Sequence, residues 1–181
     1  MNTKKFVYSS LFIALGVLLP IIFHIIGGPG LGRVLLPMHL PVLIGGAFLG
    51  PLFGLIIGLI TPILSSLFTG MPPVLPMLPI MIGELGIYGL VMGYFFKRIK
   101  MNAYLALIIT MLAGRIMASI IVIILVFGFG FGQLPANPFI FIYGTITAGM
   151  PGIIGQLIIV PLIINYLKKY NESKLSTETA F

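Results

Sequence analysis

Long apolar runs broken by short polar or Gly/Pro-rich stretches organise this chain. A helix needs about 20 predominantly apolar residues to cross a bilayer. That criterion predicts helices near 6–26, 34–49, 51–68, 77–96, 103–127 and 139–167. The runs at 34–49 and 51–68 are short and only Gly50-Pro51 separates them, so they read as a tight helical hairpin. The run from Phe6 to Ile26 is too long for the 7–15-residue core of a signal peptide and lacks a small-residue cleavage site, so it reads as a retained first membrane helix.

The basic residues orient these runs. Lys4 and Lys5 precede the first, Lys97, Arg98 and Lys100 follow the fourth, and Lys168, Lys169 and Lys174 follow the sixth. Six crossings with a cytoplasmic N-terminus put all three clusters inside, whereas five or seven would scatter them. The expectation is therefore an all-α integral membrane protein of one domain, residues 1–181, with both termini cytoplasmic and residues 168–181 as an inner tail. The outer connections would be Gly27–Pro37, Thr69–Pro76 and Gly128–Pro138, all rich in Gly and Pro. Such loops suit lids that rearrange around a ligand, or they are plain connections. They are not phosphate cradles: no Lys-Ser/Thr pair follows and no strand precedes.

Composition narrows the classes further. Hydrophobic residues make up 59% of the 181 and charged residues 7%, which excludes a soluble domain, where about a quarter would be charged. Cysteine and aspartate are absent. That removes disulfides, thiolate metal sites, paired-aspartate proteolysis and most hard-cation cages; no metal or cofactor is expected. The net charge of +7 marks membrane flanks rather than a nucleic-acid groove.

Gly46, Gly50, Gly54 and Gly58 recur every fourth residue, as do Gly89 and Gly93. Small residues at that spacing let backbones approach in lipid, and internal helix packing is preferred here over an oligomer interface. Ser10 and Ala14 form a similar pair on the first helix. Pro62, Pro151 and Pro161 lie within predicted spans and can kink them. With Gly149, Gly152 and Gly155 nearby, the first half of the last helix is expected to be the most irregular stretch.

Of three acidic residues, Glu84 alone falls inside a predicted span, and Arg115 lies at comparable depth in the next. At 1.5 Å per residue, Glu84 lies roughly 10 Å below the outer edge and Arg115 about 18 Å above the inner one. Ser65 and Ser66 reach the same outer half, Tyr88 lies one turn beyond Glu84, and Arg33 and His39 are expected at the outer mouth of the second helix. One reading makes Glu84 and Arg115 a buried ion pair that fixes two helices. The other, preferred because intramembrane ionisable groups are functional by default, makes them the wall of a pocket open to the outside. Arg115 would bind a carboxylate or phosphate, and Glu84 would accept from hydroxyl, amide or amine groups. Serine hydrolysis is not expected, because His24 and His39 are placed near the surface with no aspartate to orient them.

The stretch Gly32-Arg33-Val34-Leu35-Leu36-Pro37-Met38-His39-Leu40-Pro41-Val42-Leu43-Ile44-Gly45-Gly46, followed by Leu49-Gly50-Pro51-Leu52-Phe53-Gly54 and Ser65-Ser66-Leu67-Phe68-Thr69-Gly70-Met71-Pro72-Pro73, resembles the substrate-specific S components of energy-coupling factor (ECF) vitamin transporters. The resemblance covers essentially the whole chain. It implies a multi-pass protein of the bacterial plasma membrane with a compact six-helix bundle that captures a vitamin or vitamin precursor from outside. It implies docking through small residues of the first helix, here Ser10 and Ala14, onto a coupling transmembrane protein energised by two cytoplasmic ATPases. The chain itself would not be an enzyme. Ligand contacts are expected at Arg115, Glu84, Arg33, His39, Ser65, Ser66 and Tyr88, with a pantothenate-like solute the best match and α-ribazole a neutral alternative. The competing readings are a proton-coupled exporter built on Glu84 and an assembly subunit without ligand.

Overall fold

The computed structural model describes residues 3–131, 134 and 137–178, apart from the side chains of residues 29, 33, 138 and 167–178. The chain forms α1 (Thr3–Leu35), α2 (His39–Leu49), α3 (Pro51–Thr69), α4 (Met77–Met92), α5 (Ala103–Ile123) and α6 (Pro138–Glu178). One π-helical turn, Gly93–Arg98, extends α4, and another, Ile124–Gly128, extends α5. Among the described residues, five helical stretches are long and apolar enough to cross a membrane: Thr3–Gly28, Pro51–Thr69, Met77–Arg98, Ala103–Phe129 and Phe139–Tyr166. The expected outer connection at 128–138 falls in part outside the described residues.

The second predicted span is shorter than expected. Residues 34 and 35 belong to α1, and α2 starts at His39, leaving 11 residues. Eleven residues rise about 16 Å, roughly half of a 30 Å hydrocarbon core. Pro37 is the cause: it disfavours helical geometry at the preceding residue, and Leu36 turns to a left-handed φ of 50°. The expected loop at Gly27–Pro37 is also largely helical. Gly28, at φ 69°, bends α1 sharply, and the chain then resumes helix up to Leu35.

The last helix corrects a third expectation. α6 stays helical through Pro151 and Pro161. An internal proline removes one hydrogen bond, and the glycines around Pro151 serve contacts instead of irregularity. A Cβ at Gly152 would lie 2.7 Å from the Leu35 carbonyl carbon and the Val34 carbonyl oxygen. The end of α1, from Val34 to Leu36, therefore sits directly on the α6 backbone at Gly149 and Gly152.

Local chemistry sets the other boundaries. Gly50, at φ 96°, reverses the chain between α2 and α3, and Pro51 occupies the first helical position, where its missing N–H costs nothing. The Asn102 side chain accepts from Tyr104 N–H at 2.9 Å and caps α5. Gly70 ends α3 in the left-handed conformation and donates to Ser66 O at 2.9 Å.

The four-residue glycine spacing is used inside the fold. A Cβ at Gly54 would fall on the Gly89 carbonyl and one at Gly58 on the Leu85 carbonyl, so α3 and α4 cross backbone to backbone. A Cβ at Gly93 would lie 2.5 Å from Gly50 C and Pro51 N, which locks the α2–α3 turn against the end of α4. The Lys97 amino group donates to the Phe48 carbonyl there, and Lys5 stands over the Phe53 ring at 5.7 Å. This turn marks the basic end of the bundle. The main core joins Val42, Leu43, Ile57, Leu85 and Met92 to Ala106, Leu107, Val160 and Ile164.

Candidate functional site

α4 and α5 run antiparallel, with Gly83 against Ile121 and Gly114 against Tyr88. That register brings Glu84 and Arg115 together: Arg115 Nη1 lies 2.9 Å from Glu84 Oε1. Both residues are buried, at 5% and 8% exposure. The two groups pair electrostatically, yet the N–H directions miss the oxygen, because Glu84 Oε1 has no hydrogen-bond partner of good geometry. Directional bonding capacity is left over at a charged, buried atom.

His39 is not at an outer mouth. Because α2 is short, its first residue lies at the depth of Glu84, and His39 Nε2 is 3.8 Å from Glu84 Oε1. The residue is 3% exposed, and neither imidazole nitrogen has a hydrogen-bond partner. Its ring meets the Tyr88 ring edge to face at 5.3 Å. Tyr88 in turn packs against α5 at Gly114: a Cβ there would occupy the Tyr88 ring, so only glycine admits that ring between α4 and α5.

Ser65 and Ser66 take a different position. The Gly54–Gly89 and Gly58–Leu85 contacts fix the α3–α4 register, which sets the two serines about 10 Å from Glu84 along the bundle, toward the end away from the lysines. Ser65 Oγ donates to Met71 O and Ser66 Oγ to Pro72 O, both at 2.8 Å. Thr69 Oγ1 adds a bond to Ser65 O at 2.7 Å and accepts from Met71 N–H at 3.1 Å. These hydroxyls tie down the 70–73 loop above the site. The Arg33 side chain lies outside the described residues.

Three positions beside the charged centre were not among the expected contacts. Gly149 of α6 faces it: a Cβ there would lie 3.1 Å from Leu36 Cδ1 and 3.9 Å from Arg115 Nη2. Gln156, 2% exposed, donates to Leu36 O at 3.4 Å and tethers the segment that leads into α2. Gly114 seats Tyr88. Gln156 is visible as an isolated polar residue in an apolar run, and Gly149 belongs to the Gly/Pro-rich stretch that the sequence marks in the last helix; Gly114 carries no signal apart from its packing partner. Glu84 and His39 supply two metal-type donors, and among the described residues no group of three such side chains assembles.

Ser10 and Ala14 lie on the exposed side of α1. With Ile13, Val17, Leu18, Leu64 and Phe68 they line an open, almost wholly apolar groove between α1 and α3, about 440 Å³ in volume. Ser10 keeps its hydroxyl on its own helix, donating to Phe6 O at 3.0 Å. Ser10 and Ala14 are the small side chains of this groove, set among larger aliphatic and aromatic ones.

A buried ionic centre thus lies inside a bundle of membrane-crossing helices, with an apolar groove that Ser10 and Ala14 help to line on its flank. The family model of the ECF transporter substrate-specific component matches residues 4–164, and the chain belongs to that family. It is a multi-pass membrane protein that serves transport and is not an enzyme. No curated protein and no solved structure gives a significant match.

Proposed function

We propose that this chain captures a vitamin-sized polar solute from outside the cell and presents it to an ECF coupling protein driven by two cytoplasmic ATPases. The carrying observation is the cluster of Glu84, Arg115, His39 and Tyr88, in which three buried polar atoms keep unused bonding capacity. A buried donor or acceptor without a partner costs about 1–3 kcal/mol, so such atoms are retained where a ligand satisfies them. Breaking a buried pair is costly, but keeping one adds little net stability, which leaves binding as the better reason for Glu84 and Arg115 to be there.

The proposed topology has six crossings with both termini cytoplasmic; residues 29–49 together make the second crossing, of which α2 is the inner half. This arrangement puts Lys4, Lys5, Lys97, Arg98 and Lys100 on one side. The 70–76 loop then covers the outer face, where Ser65 and Ser66 hold it in place. The ligand is pantothenate-like: a carboxylate for Arg115, with hydroxyl and amide groups for Glu84 and His39. Arg33, near the end of α1, is kept as a proposed further contact. Ser10 and Ala14 form the coupling-protein docking face, because the groove they line is apolar and open. An exporter of cationic drugs fits poorly, since Arg115 already neutralises Glu84.

The test is isothermal titration of the purified protein in nanodiscs with pantothenate and α-ribazole, alongside mass spectrometry of co-purifying solutes. Arg115→Ala and Glu84→Ala should each weaken binding by at least about tenfold, the loss of one charge-assisted contact. Unchanged affinity in both variants would move the site elsewhere.

A further inference from the structure

α2 is a half-helix whose two ends are treated differently. Its C-terminal end, at the basic side of the bundle, receives the Lys97 amino group on the Phe48 carbonyl. Its N-terminal end stops in the interior, with no acidic residue in the first turn and no side-chain cap. Pro37 and Pro41 have no N–H, and the His39 N–H donates to Leu36 O at 3.1 Å. The Met38 and Leu40 amides remain at that end, where the aligned peptide dipoles amount to about half a positive charge.

A second observation marks the same place. His39, the first residue of α2, is 3% exposed, and both its ring nitrogens lack partners. Arg115 stands across from it, sharing Glu84 Oε1. Glu84 and Arg115 cancel in formal charge, so the helix end leaves the centre with a positive surplus despite its carboxylate. Discontinuous membrane helices elsewhere aim their N-termini at anionic substrate groups for this reason.

We infer that the ligand's anionic group docks on the N-terminus of α2, against the Leu40 amide, His39 and Arg115, and that Glu84, besides accepting from the ligand's hydroxyl or amide groups, orients Arg115 and His39. This assignment rests on the capture reading above and specifies how that site selects charge. It makes discrimination between a carboxylate and its neutral counterpart the property to measure.

The experiment titrates the full chain in nanodiscs with pantothenate and with panthenol, in which an alcohol replaces the carboxylate, and with a panel of small carboxylates paired with their amides. The wild type should prefer the carboxylate member by about 10–100-fold, the range for a charge-assisted contact. Met38→Asp places a carboxylate at the helix cap, where it competes for the same amides, and should bring the ratio close to one while Met38→Leu preserves it. Glu84→Gln should raise the ratio several-fold even if overall affinity falls, an effect a merely structural carboxylate would not produce. A wild-type ratio near one, or a ratio indifferent to Met38→Asp, overturns the assignment and leaves capture standing. Failure of every member of the panel to bind overturns capture and the assignment with it.

Discussion

Removing either half of the Glu84–Arg115 pair should destabilise the protein far more than removing both. At 2.9 Å and an effective dielectric of about 20, Coulomb attraction amounts to about 6 kcal/mol before desolvation is counted. Glu84→Gln or Arg115→Met alone leaves a buried charge uncompensated, which costs about 3–5 kcal/mol. The double variant leaves none, and a buried pair replaced by neutral groups of similar volume is close to neutral in stability. Circular dichroism melts in detergent should therefore show each single variant falling by about 10 °C and the double variant recovering most of that loss, on the scale of a few degrees per kcal/mol. The two single losses, summed against a near-neutral double variant, give a coupling energy of at least about 6 kcal/mol, above the range of about 0.5–3 kcal/mol usual for residues in contact. Singles that simply add in the double variant would refute the pairing. Ligand titration of the recovered double variant then separates roles: loss of binding with stability restored is expected if the pair serves capture.

Other perturbations test the surroundings. Gly93→Ala forces a Cβ onto the Gly50–Pro51 backbone and should cost about 1–3 kcal/mol in the same melts, whereas Gly155→Ala, with nothing within 4 Å, should be neutral or stabilising. Gly114→Ala displaces the Tyr88 ring and should weaken ligand binding several-fold in titrations while leaving helix content by circular dichroism unchanged. Ser66→Ala removes the 2.8 Å bond to the 70–73 loop, worth about 1 kcal/mol, and should speed ligand release about fivefold in stopped-flow dissociation. Ala14→Phe fills the α1–α3 groove and should abolish co-purification with the coupling protein while ligand affinity stays within about twofold.

Much of this was legible in the residue pattern because the bilayer imposes a length on each apolar run and lipid punishes unpaired charge. Helices α3, α4 and α5 start within a residue of where hydropathy placed them, since Pro51, Met77 and Ala103 follow clear breaks. The nearness of Glu84 and Arg115 followed from depth counting along two antiparallel helices, because a fixed rise per residue converts position into height. The depth of His39 did not follow. The apolar run at 34–49 conceals a break that Leu36 and Pro37 make only by turning inward, and hydropathy does not see a turn made of Leu and Pro.

The sequence by itself determined that the chain lives in a membrane, where the long apolar helices other than the second run lie, and which two ionisable groups lie among them. Tertiary structure alone decided that α2 is a half-helix ending in the interior, that His39 joins Glu84 instead of the outer rim, and that Ser65 and Ser66 hold a loop. The physical reason is that hydropathy and helical rise are properties of single segments. Side-chain depth in a bent or interrupted segment depends instead on what packs against the bend, here the bare backbone of α6 at Gly149 and Gly152.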